Sequence, residues 1–159
     1  MQEYLSAVKE VLLNGDFKIG SRTGVHTIAD FSVHRKYSLS DNSFPLLTTK
    51  RIFTRSLFHE MIWYLSGEHH IQNLRNKTKI WDAWADENGN LETAYGRFWR
   101  RFPLPPKEAQ LEGEAWLDET SPYVKRENNG ALVVDQLSYI LNTLKGDPDS
   151  RRMVISAWH

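Results

Sequence analysis

The chain has 159 residues, and its 20 lysines and arginines balance its 20 aspartates and glutamates. This length is enough for one domain with a real core, and the zero formal net charge provides no overall field to attract nucleic acid or an anionic membrane. The absence of cysteine excludes disulfides, thiolate metal sites and a cysteine nucleophile within these residues, and no apolar run reaches the roughly 18 residues of a membrane-spanning helix.

The N-terminal third predicts a helix, a loop and a strand. Residues 2–13 have apolar side chains at helical spacing with acids among them, which is not a signal-peptide pattern, so a cytoplasmic location is expected. Residues 20–27 predict a loop in which two glycines bracket Arg22. Such a loop can bind an anion through backbone amides and the guanidinium, and a solvated arginine in a turn is the alternative. Residues 27–39 alternate unevenly and predict a strand.

The central feature is a predicted helix over residues 52–65 that ends at Gly67. Glu60 lies inside its apolar arc, and a carboxyl held among aromatic side chains can give and take protons near neutral pH. An ion pair with Arg55 or Lys50 is the alternative. The sequence His59-Glu60 also begins the zinc-protease helix motif, but that motif needs a second histidine where Trp63 stands, so zinc binding is excluded.

Aromatic residues are concentrated in the next two segments. Residues 71–77 predict a short helix, and Trp81 and Trp84 then lie three residues apart, on one face of a helix. Two indoles on one face form either a core wedge or a platform for a flat ligand. Residues 93–103 mix aromatic side chains with arginines, a pattern that single-stranded nucleic-acid binders also use, although no nucleic-acid partner is expected in a neutral chain.

The last third begins with a polar insertion at about residues 104–130. Residues 133–144 predict an amphipathic helix, and the run from Met153 to Ala157 predicts a buried strand. Arg151 and Arg152 stand at the head of this strand. Two guanidiniums can clamp a phosphate, and ion pairing with the nearby Asp147 or Asp149 is the alternative.

Six segments in this order resemble thymidylate synthases: SRTG, FPLLTTKR, HEMIWYLSG, IWDAWADENGNL, YGRFWR and DPDSRRMVISAWH. The resemblance implies a mixed α/β fold with a large mixed β-sheet flanked by helices. It also implies that residues 1–159 are the N-terminal portion of a single domain and that the protein is a symmetric homodimer. The implied reaction is the reductive methylation of dUMP to dTMP, with 5,10-methylenetetrahydrofolate donating both the carbon and the hydride.

The resemblance also implies roles for individual residues. Glu60 corresponds to the glutamate that manages proton transfers through ordered water, and Tyr95 to a tyrosine lining the catalytic cavity. The implied phosphate-binding residues are Arg22, Arg151 and Arg152, of which the last two reach the partner's nucleotide across the dimer. The implied folate-binding residues are Lys50, Ile80, Trp81 and Trp84. No metal is implied.

One family feature is missing from these residues. In the family, the cysteine that attacks C6 of the pyrimidine follows the SAW segment by some distance, and this sequence contains no cysteine. We therefore expect the 159-residue chain alone to be inactive, because no covalent adduct can form. A pyrimidine nucleotide hydroxymethylase shares the same motifs and is one alternative. A non-catalytic nucleotide-binding or dimerisation fragment is another.

Overall fold

The structure, a computed structural model, describes residues 1–20, 24–40, 44–105 and 119–158. The helices are α1 (Gln2–Asn14), α2 (Thr54–Ser66), α3 (Gln72–Arg75), α4 (Tyr95–Arg100) and α5 (Gln136–Gly146). The strands are β1 (Asp16–Lys18), β2 (Thr27–Ala29), β3 (Phe102–Pro103), β4 (Val124–Arg126) and β5 (Leu132–Val134). No helix of these described ranges is long and apolar enough to cross a membrane. The chain divides into two compact units, Met1–Ile52 and the residues from Phe53 onward.

The first unit contains α1 and an antiparallel pair of strands, in which Asp16 of β1 is opposite Ala29 of β2. The helix follows its predicted range closely. The strand predicted over residues 27–39 is correct only for the residues of β2, and residues 30–39 belong to no strand. Uneven alternation explains this outcome, because a strand with no consistently apolar face gains little from pairing further.

The second unit is built around the packing of α2 against α4. A Cβ at Gly96 in α4 would lie 2.2 Å from the carbonyl oxygen of Tyr64, so only glycine permits this approach. Gly67 ends α2 in the left-handed region, with φ of 75°, as the sequence predicts. The core of the unit lies beside this contact and is made of six buried residues: Trp63, Tyr64, Ile71, Leu74, Leu91 and Ala94.

A three-stranded antiparallel sheet with the order β3-β5-β4 packs beside α4 and α5. The helix predicted over residues 133–144 begins three residues later than expected. The apolar residues before it form β5 instead, and Asp135 caps the helix by accepting a hydrogen bond from the Ser138 backbone N–H at 3.0 Å.

The mixed α/β class is confirmed, and the described strands form two small antiparallel sheets. The large mixed sheet implied by the resemblance is not formed by these residues. The prediction of a strand over Met153 to Ala157 is wrong for the structure as described, where residues 153–158 lie outside any strand. A strand requires a partner for its backbone groups, and an apolar run alone does not supply one.

Candidate active site

Glu60 is half-buried on the inner side of α2 and is held by two hydrogen bonds to the same oxygen. The indole Nε1 of Trp81 donates to Oε1 at 2.7 Å, and the hydroxyl of Tyr64 donates to it at 3.3 Å. The second contact joins residues one helical turn apart, whereas the first crosses 21 residues of sequence. The ion pairs considered for Glu60, with Arg55 or Lys50, are not observed among the described residues.

Tyr64 is the centre of an aromatic cluster around this carboxylate. Its ring centroid lies 5.3 Å from that of Trp63, 6.3 Å from Trp81, 5.8 Å from Tyr95 and 5.6 Å from Trp99. The rings meet at tilted or edge-on angles, the arrangement that aromatic quadrupoles favour. Because these contacts come from α2, α4 and the turn before Asp82, the cluster fixes the position of Glu60 relative to Tyr95.

Burial of the Tyr64 hydroxyl, and then the charge of the adjacent Glu60 carboxylate, raise the pKa of Tyr64 well above its usual value. The hydroxyl therefore stays protonated at neutral pH and remains a hydrogen-bond donor to Glu60. The tyrosine hydroxyl and the indole N–H both face Oε1 as neutral donors, and Oε1 is the acceptor for both. Such an arrangement orients the carboxylate without supplying a counter-charge.

Trp81 and Trp84 do not lie on a helix, which corrects the sequence prediction. Residues 80–84 form consecutive turns, and the Trp84 backbone N–H donates to the Trp81 carbonyl at 3.1 Å. An ion pair between Arg75 and Asp82, with Nε 3.1 Å from Oδ1, fastens the turn to α3. Just beyond these turns, the Asp86 carboxylate accepts from the backbone N–H groups of Asn88 and Asn90, local bonds that compete with a helix.

The two indoles are placed differently by this turn. Trp81 is half-buried and packs against the core, whereas Trp84 is 69% exposed and Ile80 is 47% exposed. Tyr95, at the start of α4, is 51% exposed. The core interpretation of the tryptophan pair therefore fits Trp81, whereas Trp84, Ile80 and Tyr95 expose apolar surface to solvent.

Arg151 and Arg152 are both exposed, on the chain that follows α5. Among the residues that the structure describes, neither guanidinium makes a hydrogen bond or an ion pair, so pairing with Asp147 or Asp149 is not observed. Their phosphate-binding role remains a prediction. Lys50 is exposed and belongs to the first unit, and Arg22 lies outside the described residues.

Two residues at the start of α5 have more contacts than their sequence suggests. Asp135 is 1% exposed, and its Oδ2 lies 3.3 Å from both Arg100 and Lys125. Gln136 makes three hydrogen bonds, to α4 and to the chain beyond α5. Sequence reasoning missed both. The available signal was an adjacent acid and amide directly after the apolar pair Val133 and Val134.

Known proteins of one family are similar to this chain. A family model described as thymidylate synthase matches residues 2–159. A thymidylate synthase from Haloferax volcanii is 54% identical over 142 residues, which cover 87% of this chain and 40% of that protein. The chain thus spans less than half the length of the curated relative that it matches. Because the family match includes every segment that builds the Glu60 site, the chain belongs to the thymidylate synthase family.

Proposed function

We propose that this chain supplies the proton-transfer, folate-facing and phosphate-binding residues of an enzyme that methylates dUMP to dTMP. The observation that carries the proposal is the Glu60 carboxylate, hydrogen-bonded by Trp81 at 2.7 Å inside an aromatic cluster that reaches Tyr95. The complete enzyme is a thymidylate synthase that contains these 159 residues. A cytoplasmic location, a homodimer and the absence of a metal are parts of the same proposal.

The proposed role of Glu60 is to move protons at a bound pyrimidine. Replacing hydrogen by a methyl group at C5 requires that the C5 proton leave and that protons reach the ring oxygens as charge shifts. A half-buried carboxylate can accept and return such protons, directly or through water. Trp81 and Tyr64 both donate to Oε1 and keep it in one orientation, and no hydrogen bond to Oε2 is observed among the described residues.

The co-substrate of this reaction would be 5,10-methylenetetrahydrofolate, which supplies a one-carbon unit and a hydride when bound. A flat pterin packs on apolar faces, and Trp84 and Ile80, which are close in sequence to the Glu60 partner Trp81, expose such faces. Trp81 would back this wall while holding Glu60. Folate binding by Lys50, which is exposed, is proposed from the family resemblance alone.

The phosphate of dUMP would be bound by Arg151 and Arg152, together with Arg22. The first two guanidiniums project from an exposed segment and make no ion pair among the described residues, so both forks are available to an anion. In the proposed homodimer, they serve the nucleotide of the partner chain. An arginine fork matches a phosphate dianion in both charge and geometry.

Trapping of the reaction tests this proposal. The complete enzyme is expected to form a stable ternary complex with 5-fluoro-dUMP and methylenetetrahydrofolate, detected as a mass increase of the denatured protein. The 159-residue chain contains no cysteine and is expected to show no such increase. Turnover of dCMP in place of dUMP would instead identify a hydroxymethylase, and failure of the complete enzyme to trap either nucleotide would contradict the proposal.

A further inference from the structure

The segment that carries Arg151 and Arg152 has few fixed points. Within the described part of the chain, residues 151–158 join no strand, and their hydrogen bonds to the rest of the unit all involve the side chain of Gln136. The remaining bonds of the segment are local, such as that from the Val154 N–H to the Arg152 carbonyl at 3.1 Å. The far end of the segment, at Ser156, is therefore attached to the unit through one amide, and the arginine end is held by local bonds at Ser150.

Gln136 pairs with Ser156 as a neighbouring strand would. The side-chain Nε2 donates to the Ser156 carbonyl at 2.8 Å, and the Ser156 N–H donates to Oε1 at 2.9 Å. Both backbone groups of Ser156 are thus satisfied by one side chain. At this one residue, the side-chain amide substitutes for the backbone of a strand partner.

The same amide also reaches α4. Nε2 donates its second proton to the Phe98 carbonyl at 2.8 Å. This arrangement fixes the orientation of the amide, because the reverse orientation would place Oε1 against two carbonyl oxygens. Phe98 lies one turn from Tyr95 on α4. Gln136 consequently connects the arginine segment to the helix that presents Tyr95.

The start of α5 is itself held by several contacts, so Gln136 connects the arginine segment to a well-packed part of the unit. Asp135, the preceding residue, is 1% exposed and lies 3.3 Å from Arg100 of α4. Its Oδ1 also accepts from the Ser138 N–H at 3.0 Å. Two successive residues therefore attach the first turn of α5 to α4, one through charge and one through the amide.

We propose that Gln136 is a positioning residue that holds the Arg151–Arg152 segment at a fixed place on the second unit, so that both guanidiniums are presented to the nucleotide phosphate. The inference rests on the proposed phosphate-binding role of these arginines. It does not require Gln136 to touch the nucleotide. Loss of the amide would leave the arginines present but no longer held in place.

The test compares dUMP with deoxyuridine, which lacks only the phosphate, in the complete enzyme. Gln136→Met keeps the length of the side chain and removes all three hydrogen bonds. Its affinity for dUMP is expected to fall about tenfold, the lower end of the cost of a hydrogen bond to a charged group. Its affinity for deoxyuridine is expected to stay unchanged. Asn142→Met is the matched control and is expected to change neither affinity, because Asn142 is exposed on α5 and, among the described residues, its side chain bonds to the Tyr123 hydroxyl at 3.4 Å.

Two further variants separate the possible failures. Arg151→Ala reports on the phosphate role alone: if it leaves dUMP affinity unchanged, the phosphate proposal and this inference both fail. If Arg151→Ala weakens dUMP binding but Gln136→Met does not, or if Gln136→Met weakens both ligands equally, only this inference fails. Gln136→Asn, which keeps the amide but is too short to reach both partners, is expected to repeat the selective loss should the methionine variant not fold.

In the same variants, the Ser156 amide proton is expected to exchange faster with deuterium, and unchanged exchange would contradict the positioning role.

Discussion

At the scale of single residues, the site depends on how one carboxylate is oriented. Glu60 accepts two hydrogen bonds at the same oxygen, and both donors are neutral aromatic side chains. Its position inside an apolar arc was visible in the sequence because the neighbouring residues are aromatic. The hydrogen bond from Trp81, its strongest partner, is not visible in the sequence. Trp81 lies 21 residues away, and only the folded chain brings the indole to the carboxylate.

Removing the two donors one at a time gives a prediction. Trp81→Phe eliminates the 2.7 Å bond, and Tyr64→Phe eliminates the 3.3 Å bond with almost no change of shape. If these bonds orient Glu60, turnover of the complete enzyme at saturating folate is expected to fall about tenfold or more for Trp81→Phe and about fivefold for Tyr64→Phe, because the shorter bond is the stronger. The measurement is kcat by the absorbance change of dihydrofolate formation. A larger loss for Tyr64→Phe than for Trp81→Phe would contradict this ranking.

At the scale of elements, the approach of α2 to α4 positions the aromatic cluster. Gly96 is buried, and the backbone of Tyr64 occupies the space that a side chain there would need. At the C-terminal end of α2, a Cβ at Gly67 would meet the Cβ and Cγ of Arg100, and the Arg101 guanidinium donates to the Gly67 carbonyl at 3.1 Å. The two helices therefore meet through glycines and arginine stems, and the distance between Tyr64 and Tyr95 follows from that contact.

The closeness of this contact can be tested with alanine. Gly96→Ala places a methyl group 2.2 Å from the Tyr64 carbonyl oxygen, which must move α4 away from α2. The free energy of unfolding is expected to fall by about 1–3 kcal/mol, the usual cost of overpacking, in urea denaturation of the chain. Gly146→Ala, where nothing lies within 4 Å, is the control and is expected to change the stability by about 1 kcal/mol at most. Equal effects of the two substitutions would show that the helices do not pack this closely.

Elements with strong local signals were predictable and those that depend on partners were not. α1 and α2 follow from apolar periodicity, and the end of α2 follows from Gly67. The strand predicted after Arg152 does not form, and the Ser156 backbone pairs with the Gln136 side chain instead. A hydrogen bond between a side chain and a distant backbone leaves no pattern in the sequence. The spacing of Trp81 and Trp84 predicts a helix, but the acidic residues around them favour turns.

At the scale of the whole molecule, the balanced charges form local ion pairs between elements and produce no long-range electrostatic field. Equal numbers of acids and bases leave no net charge, and the described ion pairs connect neighbouring elements, as Arg100 and Lys125 do at Asp135. The guanidiniums of Arg151 and Arg152 stand apart from these pairs in the described structure, as expected for groups that bind an external anion.

The attachment at Asp135 predicts how stability depends on pH. Burial raises the pKa of this carboxyl, but hydrogen bonds from Ser138 and Lys125 and the charge of Arg100 outweigh it and hold the pKa below the ordinary 3.8. The carboxylate therefore adds stability that is fully present above that value and is lost as the pH falls through the lower folded-state pKa. Asp135→Asn keeps a helix cap and removes the charge. Its free energy of unfolding at neutral pH is expected to be about 1–2 kcal/mol lower than that of the unmodified chain, and less than for a fully buried pair because the partners are partly exposed.

Chemical denaturation at a series of pH values checks this expectation. The difference between the two proteins is expected to shrink as the solution is acidified below the ordinary pKa of an aspartate. A difference that stays constant through that range would show that the Asp135 charge does not stabilise the fold.

The central claim is that Glu60 transfers protons, and Glu60→Gln in the complete enzyme tests it most directly. The amide keeps the shape of the side chain and cannot act as a base, so kcat for dTMP formation is expected to fall by about 10²–10⁴-fold while the Kd for dUMP stays within a few-fold. Glu68→Gln, a carboxyl just beyond α2 that bonds to Asn73 at 3.0 Å, is the matched control and is expected to retain normal turnover. A near-normal rate for Glu60→Gln would contradict the claim and leave the carboxylate with a structural role only.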